Sequence, residues 1–293
     1  MDRYSYEQAY KVALDLLSKG FTSIKRGRNN WVFEQGDKIL TIPKHERVKN
    51  YFVRVKATQF LHSNGIPVSE ILNHSPEKNR TPEYLLVKKV DGEHVDLSKS
   101  SLLERERTHK SAGEVLCAIH NLQSFRYGRL QPNLIGENCS WVDFADKFFA
   151  ESINRVKKSP ELYAQFGRDL EEEYQKGRNS LTHLSLPCFL HADFHLGNLL
   201  FKNGQISAVL DLDMVSSGDL NWDSGHYCHT FNIDRERGVR SFRLGYNKPH
   251  NEARERLYSL MIWTRKIGSQ AIQRPDALKE TIPELEKILG SKI

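Results

Sequence analysis

A short stretch of this chain gathers side chains able to move protons or hold metal ions. His191, Asp193, His195 and Asn198 fall within His191-Ala192-Asp193-Phe194-His195-Leu196-Gly197-Asn198, and Asp211-Leu212-Asp213 follows a little further on. Two chemistries can use such a set. Phosphoryl transfer needs a carboxylate to orient an attacking hydroxyl and accept its proton. It also needs hard oxygen ligands for magnesium bridging the phosphates, which an Asn carbonyl and a second Asp supply. Metal-dependent hydrolysis would instead use His191, Asp193 and His195 with Asp211 to hold zinc, manganese or iron. In that second chemistry Asn198 and the more distant Asp219 and Asp223 gain no role.

The elements around these residues decide whether they meet. Apolar runs at 188–190, 199–201 and 206–210 flank them, and Asn203-Gly204 between the last two is a hairpin signal. A hairpin there can bring His191, Asp193, Asn198, Asp211 and Asp213 to one mouth. Upstream, 4–19 has helical spacing through Ala9, Val12, Ala13, Leu16 and Leu17, with Gly20 as a stop. Short strands are expected at 21–26, 31–34 and 38–43, a helix at 48–63, and strands at 68–72 and 84–90. Asp91-Gly92 marks a break, beyond which helices are expected at 102–122, 141–156 and 162–178 and again from 220 onward. The expected fold is α+β and bilobal: a small antiparallel-sheet lobe over 1–90, a hinge, and a larger mainly helical lobe over 91–293. A ligand belongs in the cleft between them.

Bulk properties narrow the function classes. The chain has 293 residues, 39% hydrophobic and 27% charged, ordinary for one large or two medium globular domains. No run approaches the roughly 20 apolar residues of a membrane helix. The first residues are too polar for a secretory signal, so the expected location is cytoplasmic with no membrane partner. Cys117, Cys139, Cys188 and Cys228 form no C-x-x-C pair, which speaks against a disulfide framework or a cysteine zinc site. A net charge of +6 permits an anionic nucleotide but shows no basic stripe, so no nucleic-acid partner is expected.

The spacing of His191, Asp193 and Asn198 reproduces the H-R-D-x-x-x-x-N pattern of protein kinases, with Asp211 where their D-F-G aspartate lies. More specifically, 190–223 resembles the signature of the aminoglycoside phosphotransferase and choline kinase-like family: H-G-D-L-H-x-G-N, a hairpin, I-D-[WF]-[DE], G-D and a final Asp. Here these are His191, Asp193, His195, Gly197, Asn198, Asp211, Asp213, Gly218-Asp219 and Asp223, with Ala192 replacing the usual Gly. Weaker matches are Tyr84-Leu85-Leu86-Val87 before Asp91-Gly92 (the family's hinge strand), 112–120 (its L-x-x-L-H helix), and Phe242, Gly245 and Tyr246 (its F-x-x-x-Y region). The resemblance implies a magnesium-dependent kinase that moves the γ-phosphate of ATP or GTP to a hydroxyl of a small metabolite or antibiotic. Asp193 would be the catalytic base and Asn198 and Asp211 the Mg²⁺ ligands. His191 would be structural, and Asp223 would brace the catalytic loop.

The nucleotide side departs from that pattern. The family carries a Lys or Arg on the third strand, paired with a Glu on the next helix; here those positions hold Thr41 and Arg54. Either the charge has moved to Arg54 or Lys44, or nucleotide binding is weakened and the chain is a kinase-like binding protein. The intact trio Asp193, Asn198 and Asp211 favours the first. Gly27-Arg28-Asn29-Asn30 offers one glycine at the bend where backbone amides, with Gly27 and Asn29, can face phosphates. Asp213 reads as a third acidic ligand or a turn former, His120 as packing at a helix end, and Trp141, Phe144, Phe148 and Phe149 as core. The surplus of arginines between Asp234 and Arg265 disfavours a polycationic acceptor. The acceptor, the choice of ATP or GTP and the oligomeric state are not encoded legibly.

Overall fold

Alternation along the third strand sets the architecture of the small lobe. In the computed structural model, residues 4–17, 20–24, 30–44, 51–75, 82–182, 184, 186–231 and 233–290 are described. The small lobe runs α1 (Tyr6–Leu17), β1 (Thr22–Ile24), β2 (Asn30–Gln35), β3 (Lys38–Pro43), α2 (Tyr51–Ser63), β4 (Ile71–His74) and β5 (Leu85–Lys88). Its strands form an antiparallel sheet in the order β1-β2-β3-β5-β4. Side chains of a strand point alternately to the two faces. Leu40 and Ile42, with Phe33 and Leu86, pack on Ala9, Ala13 and Leu17 of α1. Leu85, on the other face, packs on Tyr51 and Val55 of α2. Thr41 pairs with Leu85 across the strands and so shares the α2 face.

The large lobe holds α3 (Leu102–His120), β6 (Tyr127–Leu130), β7 (Gly136–Asn138), α4 (Trp141–Val156), α5 (Pro160–Arg178), β8 (Cys188–Leu190), β9 (Leu199–Lys202) and β10 (Gln205–Val209). After these come β11 (Ser216–Gly218), α6 (Asn221–Cys228), α7 (Arg235–Tyr246), α8 (Glu252–Gln273) and α9 (Leu278–Gly290). Ser101 caps α3 with a reciprocal pair: its hydroxyl accepts from the Glu104 amide at 3.3 Å, and its own amide donates to Glu104 Oε2 at 2.7 Å. The expected hairpin is present as β9 and β10, turned through Asn203 and Gly204, both at positive φ.

Three strands escape the sequence reading. β6, β7 and β11 join β8 in a sheet of order β7-β6-β11-β8 inside the helical lobe. Each is too short to show alternation, and Ser216–Gly218 is buried throughout although built of small and polar residues. Val68, expected in a strand, instead enters the main core with Leu61 and Ile66.

That core joins the lobes. Val53, Ala57 and Leu61 of α2 share it with Ala112, Leu116 and Ile119 of α3 and with Phe194, Leu199, Val209 and Leu212 around the hairpin. So α2 rests directly on the segment that carries the reactive residues. A second cluster packs α4, α5, α8 and α9, and takes in Trp141, Phe144, Phe148 and Phe149. α3 and α7 touch backbone to backbone: a Cβ on Gly245 would lie 2.0 Å from the Lys110 carbonyl oxygen, and one on Gly113 2.2 Å from that of Phe242. The approach sets Tyr246 beside His120. All four cysteines are free, and no helix among the described residues is long and apolar enough to cross a membrane.

Candidate active site

The loop after β8 is held by one buried carboxylate. Asp223, on α6, accepts hydrogen bonds from the backbone amides of His191 at 2.8 Å and Ala192 at 2.7 Å. His120 Nε2 donates to the same carboxylate at 3.1 Å, and Tyr246 donates to His120 Nδ1 at 2.6 Å. A fully buried carboxylate is tolerable only when its lone pairs are occupied in this way. Burial pushes the Tyr246 hydroxyl well above the usual phenol range, which keeps it a donor. Three fragments far apart in sequence (the end of α3, the end of α7 and the start of α6) thus form one hydrogen-bonded chain. His120, expected as packing, is a working link in it. Its signal was present as the last residue of the helix pattern, but spacing alone could not reveal its partners.

His191 spends both ring nitrogens inside the loop. Nε2 meets the Leu210 carbonyl at 2.9 Å, and Nδ1 accepts from the Asp193 amide at 3.2 Å. Neither nitrogen is left for a metal, which removes the hydrolase arrangement. Ala192 in this loop adopts φ 64° and Asp211, just past the hairpin, φ 58°, a left-handed region that favours glycine.

Asp193 and Asn198 face each other. The Asn198 amide nitrogen donates to the Asp193 backbone carbonyl at 2.9 Å and to its Oδ2 at 3.2 Å. That orientation turns the Asn198 side-chain oxygen away from Asp193. At the other end of the hairpin the Leu210 amide donates to the Asn198 backbone carbonyl at 2.8 Å, so Asn198 and Asp211 sit across from one another at its base. The remaining Asp193 oxygen, Oδ1, lies 3.9 Å from His226 Nδ1, and Oδ2 lies 3.8 Å from His195 Nε2. Burial pushes Asp193 up, but the imidazoles of His226, His195 and His191 and the Asn198 hydrogen bond outweigh it, and the carboxyl is held below its ordinary value. His226 was not singled out by the sequence; nothing in its spacing marks it.

Asp211 behaves oppositely. Burial first, then the Asp213 carboxylate, push it up to about 6, with Arg54 opposing. Excess negative charge at Asp211 and Asp213, beside the neutral carbonyl dipole of Asn198, is what a hard cation would relieve. Magnesium commonly takes one or two carboxylates and fills its shell with phosphate oxygens and water, so this donor set fits it.

Arg54 reaches the same place from α2. Its Nη1 lies 3.4 Å from Asp213 Oδ1, and Nη2 donates to Thr41 Oγ1 at 3.2 Å. The two positions at which the sequence departs from the family pattern therefore touch, and the guanidinium stands beside the acidic loop. Asp213, read as a third acidic ligand or a turn former, holds this ion pair. Lys44 is not brought to this group: its ammonium stands over the Trp31 ring, 4.3 Å from the centroid, and Trp31 packs with the α1-side cluster. Gly27 and Asn29 lie outside the described residues. The arginines between Asp234 and Arg265 are largely consumed by carboxylates: Arg243 pairs with Glu255, Arg254 with Asp219, Arg256 with Glu173 and Arg265 with Glu151. They build the helical lobe, so their surplus says nothing about the charge of the acceptor.

Comparison with known proteins places this geometry. The profile of the phosphotransferase enzyme family (APH) matches residues 21–258. A probable aminoglycoside 3'-phosphotransferase of Lactococcus lactis subsp. lactis (strain IL1403) is 26% identical over 163 residues, 53% of this chain and 56% of that protein. The match thus spans little more than half of that relative's length. The crystal structure of aminoglycoside phosphotransferase APH(4)-Ia superposes with a TM-score of 0.73 at 17% identity, covering 99% of this chain and 100% of that one. A ternary complex of a thermostable mutant of the same enzyme with AMP-PNP and hygromycin B gives 0.71 at 17% identity, over 98% and 99%. The gentamicin complex of APH(2'')-IIa gives 0.72 at 17%, over 100% and 98%. These likenesses establish the two-lobed kinase-like fold.

Proposed function

The chain belongs to the phosphotransferase enzyme family, and from that premise we propose that it transfers the γ-phosphoryl group of ATP or GTP to a hydroxyl of a small molecule. The observation that carries the reading is the base of the hairpin, where Asp193 and Asn198 meet, Asp211 follows Leu210 across from Asn198, and Arg54 pairs with the neighbouring Asp213. In this reading residues 1–90 bind the nucleotide and 91–293 supply the chemistry and the acceptor site.

Asn198, through its carbonyl oxygen, and Asp211 would hold Mg²⁺, which when bound neutralises charge on the phosphates. Asp193 orients the acceptor hydroxyl and accepts its proton, while the Asn198 amide fixes the carboxylate's rotation. Arg54 offers its guanidinium to the nucleotide phosphates from the helix, in place of a strand lysine. Asp223 and His191 hold the loop backbone so that these side chains need not reorganise as the reaction proceeds. The acceptor class follows the relatives only in outline: a small hydroxylated compound, with aminoglycosides as the first set to screen.

Thermal melting with ATP and GTP, each with and without magnesium, tests the reading. A nucleotide at 100 times its Kd stabilises by about 2.7 kcal/mol, an easily measured shift. A magnesium-dependent rise is expected. No rise at millimolar nucleotide would leave a kinase-like binding protein as the better description.

A further inference from the structure

We propose that His226 is a further catalytic residue, whose Nδ1–H donates to the oxygen of the attacking hydroxyl while Asp193 Oδ1 receives that hydroxyl's proton. The proposal rests on the phosphotransfer reading above. Three observations carry it. The His226 side chain is 9% exposed on α6, and its Nδ1 is buried with no hydrogen-bond partner among the described residues. An unsatisfied buried imidazole nitrogen costs stability and calls for a reason. Second, the two oxygens of Asp193 are divided: Oδ2 is taken by the Asn198 amide, whereas Oδ1 faces His226 Nδ1 across 3.9 Å. That gap is too long for a direct hydrogen bond, yet one oxygen atom fits about 2.8 Å from each. Third, the Asp193 side chain is 37% exposed, so an acceptor can reach this point from the cleft.

The step balances. The hydroxyl oxygen forms the new bond to the γ-phosphorus, the bond from that phosphorus to the nucleotide's bridging oxygen breaks, and the hydroxyl proton passes to Asp193. The His226 proton stays on Nδ1; it fixes one lone pair of the attacking oxygen so that another points at phosphorus. Burial holds His226 unprotonated, down to about 4, consistent with a neutral donor.

Water is the smallest hydroxyl, so slow hydrolysis of MgATP without added acceptor is the probe. His226→Phe should lower that rate about tenfold or more and leave the MgATP-induced rise in melting temperature unchanged. His226→Asn, whose amide nitrogen falls near Nδ1, should stay within a few-fold of wild type. Nitrogen-15 NMR of the histidine-labelled wild-type chain should show the Nδ1–H tautomer for His226, a readout that needs no variant to fold. Wild-type hydrolysis in His226→Phe, an equal loss in His226→Asn, or an Nε2–H tautomer overturns the proposal while leaving the kinase reading intact. A wild-type chain that neither hydrolyses nor is stabilised by MgATP overturns both.

Discussion

The loop that carries Asp193 and the sheet face opposite it hold charge near the same point in different ways. Beneath the loop, Asp223 of α6 is fully buried and grips two of the loop's backbone amides at 2.8 and 2.7 Å. Across the cleft, Arg54 spans two elements through longer contacts of 3.4 and 3.2 Å, to a carboxylate and a hydroxyl. Short bonds to backbone in a buried setting are made once, when the chain folds. Long contacts from a flexible side chain can be exchanged for better ones when phosphate arrives. On the proposed function, the loop side is preorganised for catalysis, and the Arg54 side completes itself when nucleotide binds.

The sharpest way to break this contrast is to remove the base. Asp193→Asn should cost about 10²- to 10⁴-fold in turnover while melting temperature and nucleotide affinity change little; full activity in that variant would end the mechanism. Asp223→Ala leaves two loop amides and His120 without their acceptor in a buried site. It should destabilise by about 3–5 kcal/mol, read by denaturant unfolding. If the loop were as adjustable as Arg54, the loss would be near zero. Arg54→Met should weaken nucleotide binding about tenfold with little effect on stability. The pair Thr41→Lys with Arg54→Glu, which restores the usual polarity of strand and helix, should recover that affinity in titration calorimetry. Failure to recover would mean the exchange of Arg54 for a strand lysine is not equivalent here.

Acidity sharpens the comparison further. Burial and the neighbouring Asp213 carboxylate push Asp211 up to about 6 from an ordinary 3.8. Between those values the folded state keeps a proton that the unfolded state has lost, so this group's contribution to stability falls as pH rises through the window. Magnesium needs the ionised form. The magnesium-dependent gain in melting temperature with ATP should accordingly be larger at about pH 7 than at about pH 5; equal gains would remove Asp211 from the metal site. The smallest effect concerns Ala192 at φ 64°. Ala192→Gly relieves that strain and should stabilise by up to about 1 kcal/mol in thermal melts.

Much of this was legible in the sequence because it is local. The hairpin announced itself through Asn203-Gly204 between two apolar runs, and 38–43 and 141–156 coincide with β3 and α4. The reactive cluster was legible because its members lie on consecutive turns of chain. What escaped was long-range. Asp223 was expected to brace the loop, but that Tyr246 and His120 back it depends on Gly113 and Gly245 letting two helices touch, and no spacing rule encodes that. His226 is an ordinary helix residue until the fold points it at Asp193. In sequence Arg54 and Thr41 stand out only as departures from the family pattern; their contact appears when alternation on β3 turns Thr41 to α2. The short strands β6, β7 and β11 carry too few residues to show a period.

The β9–β10 hairpin can also be seen as a caliper. Its jaws are Asn198 and Asp211, and their separation is set by cross-strand pairing from Leu199 opposite Val209 to Lys202 opposite Gln205. The pairing already carries one irregularity, between Ile206 and Ala208; a further residue lost or gained within either arm would slip the register and change how Asn198 and Asp211 face one another. The handle at Asn203-Gly204 is free of this constraint, being a surface turn beyond the last pair. Extra length inserted there should leave the jaws at the same setting, which makes the tip a natural point of attachment for a tag or probe.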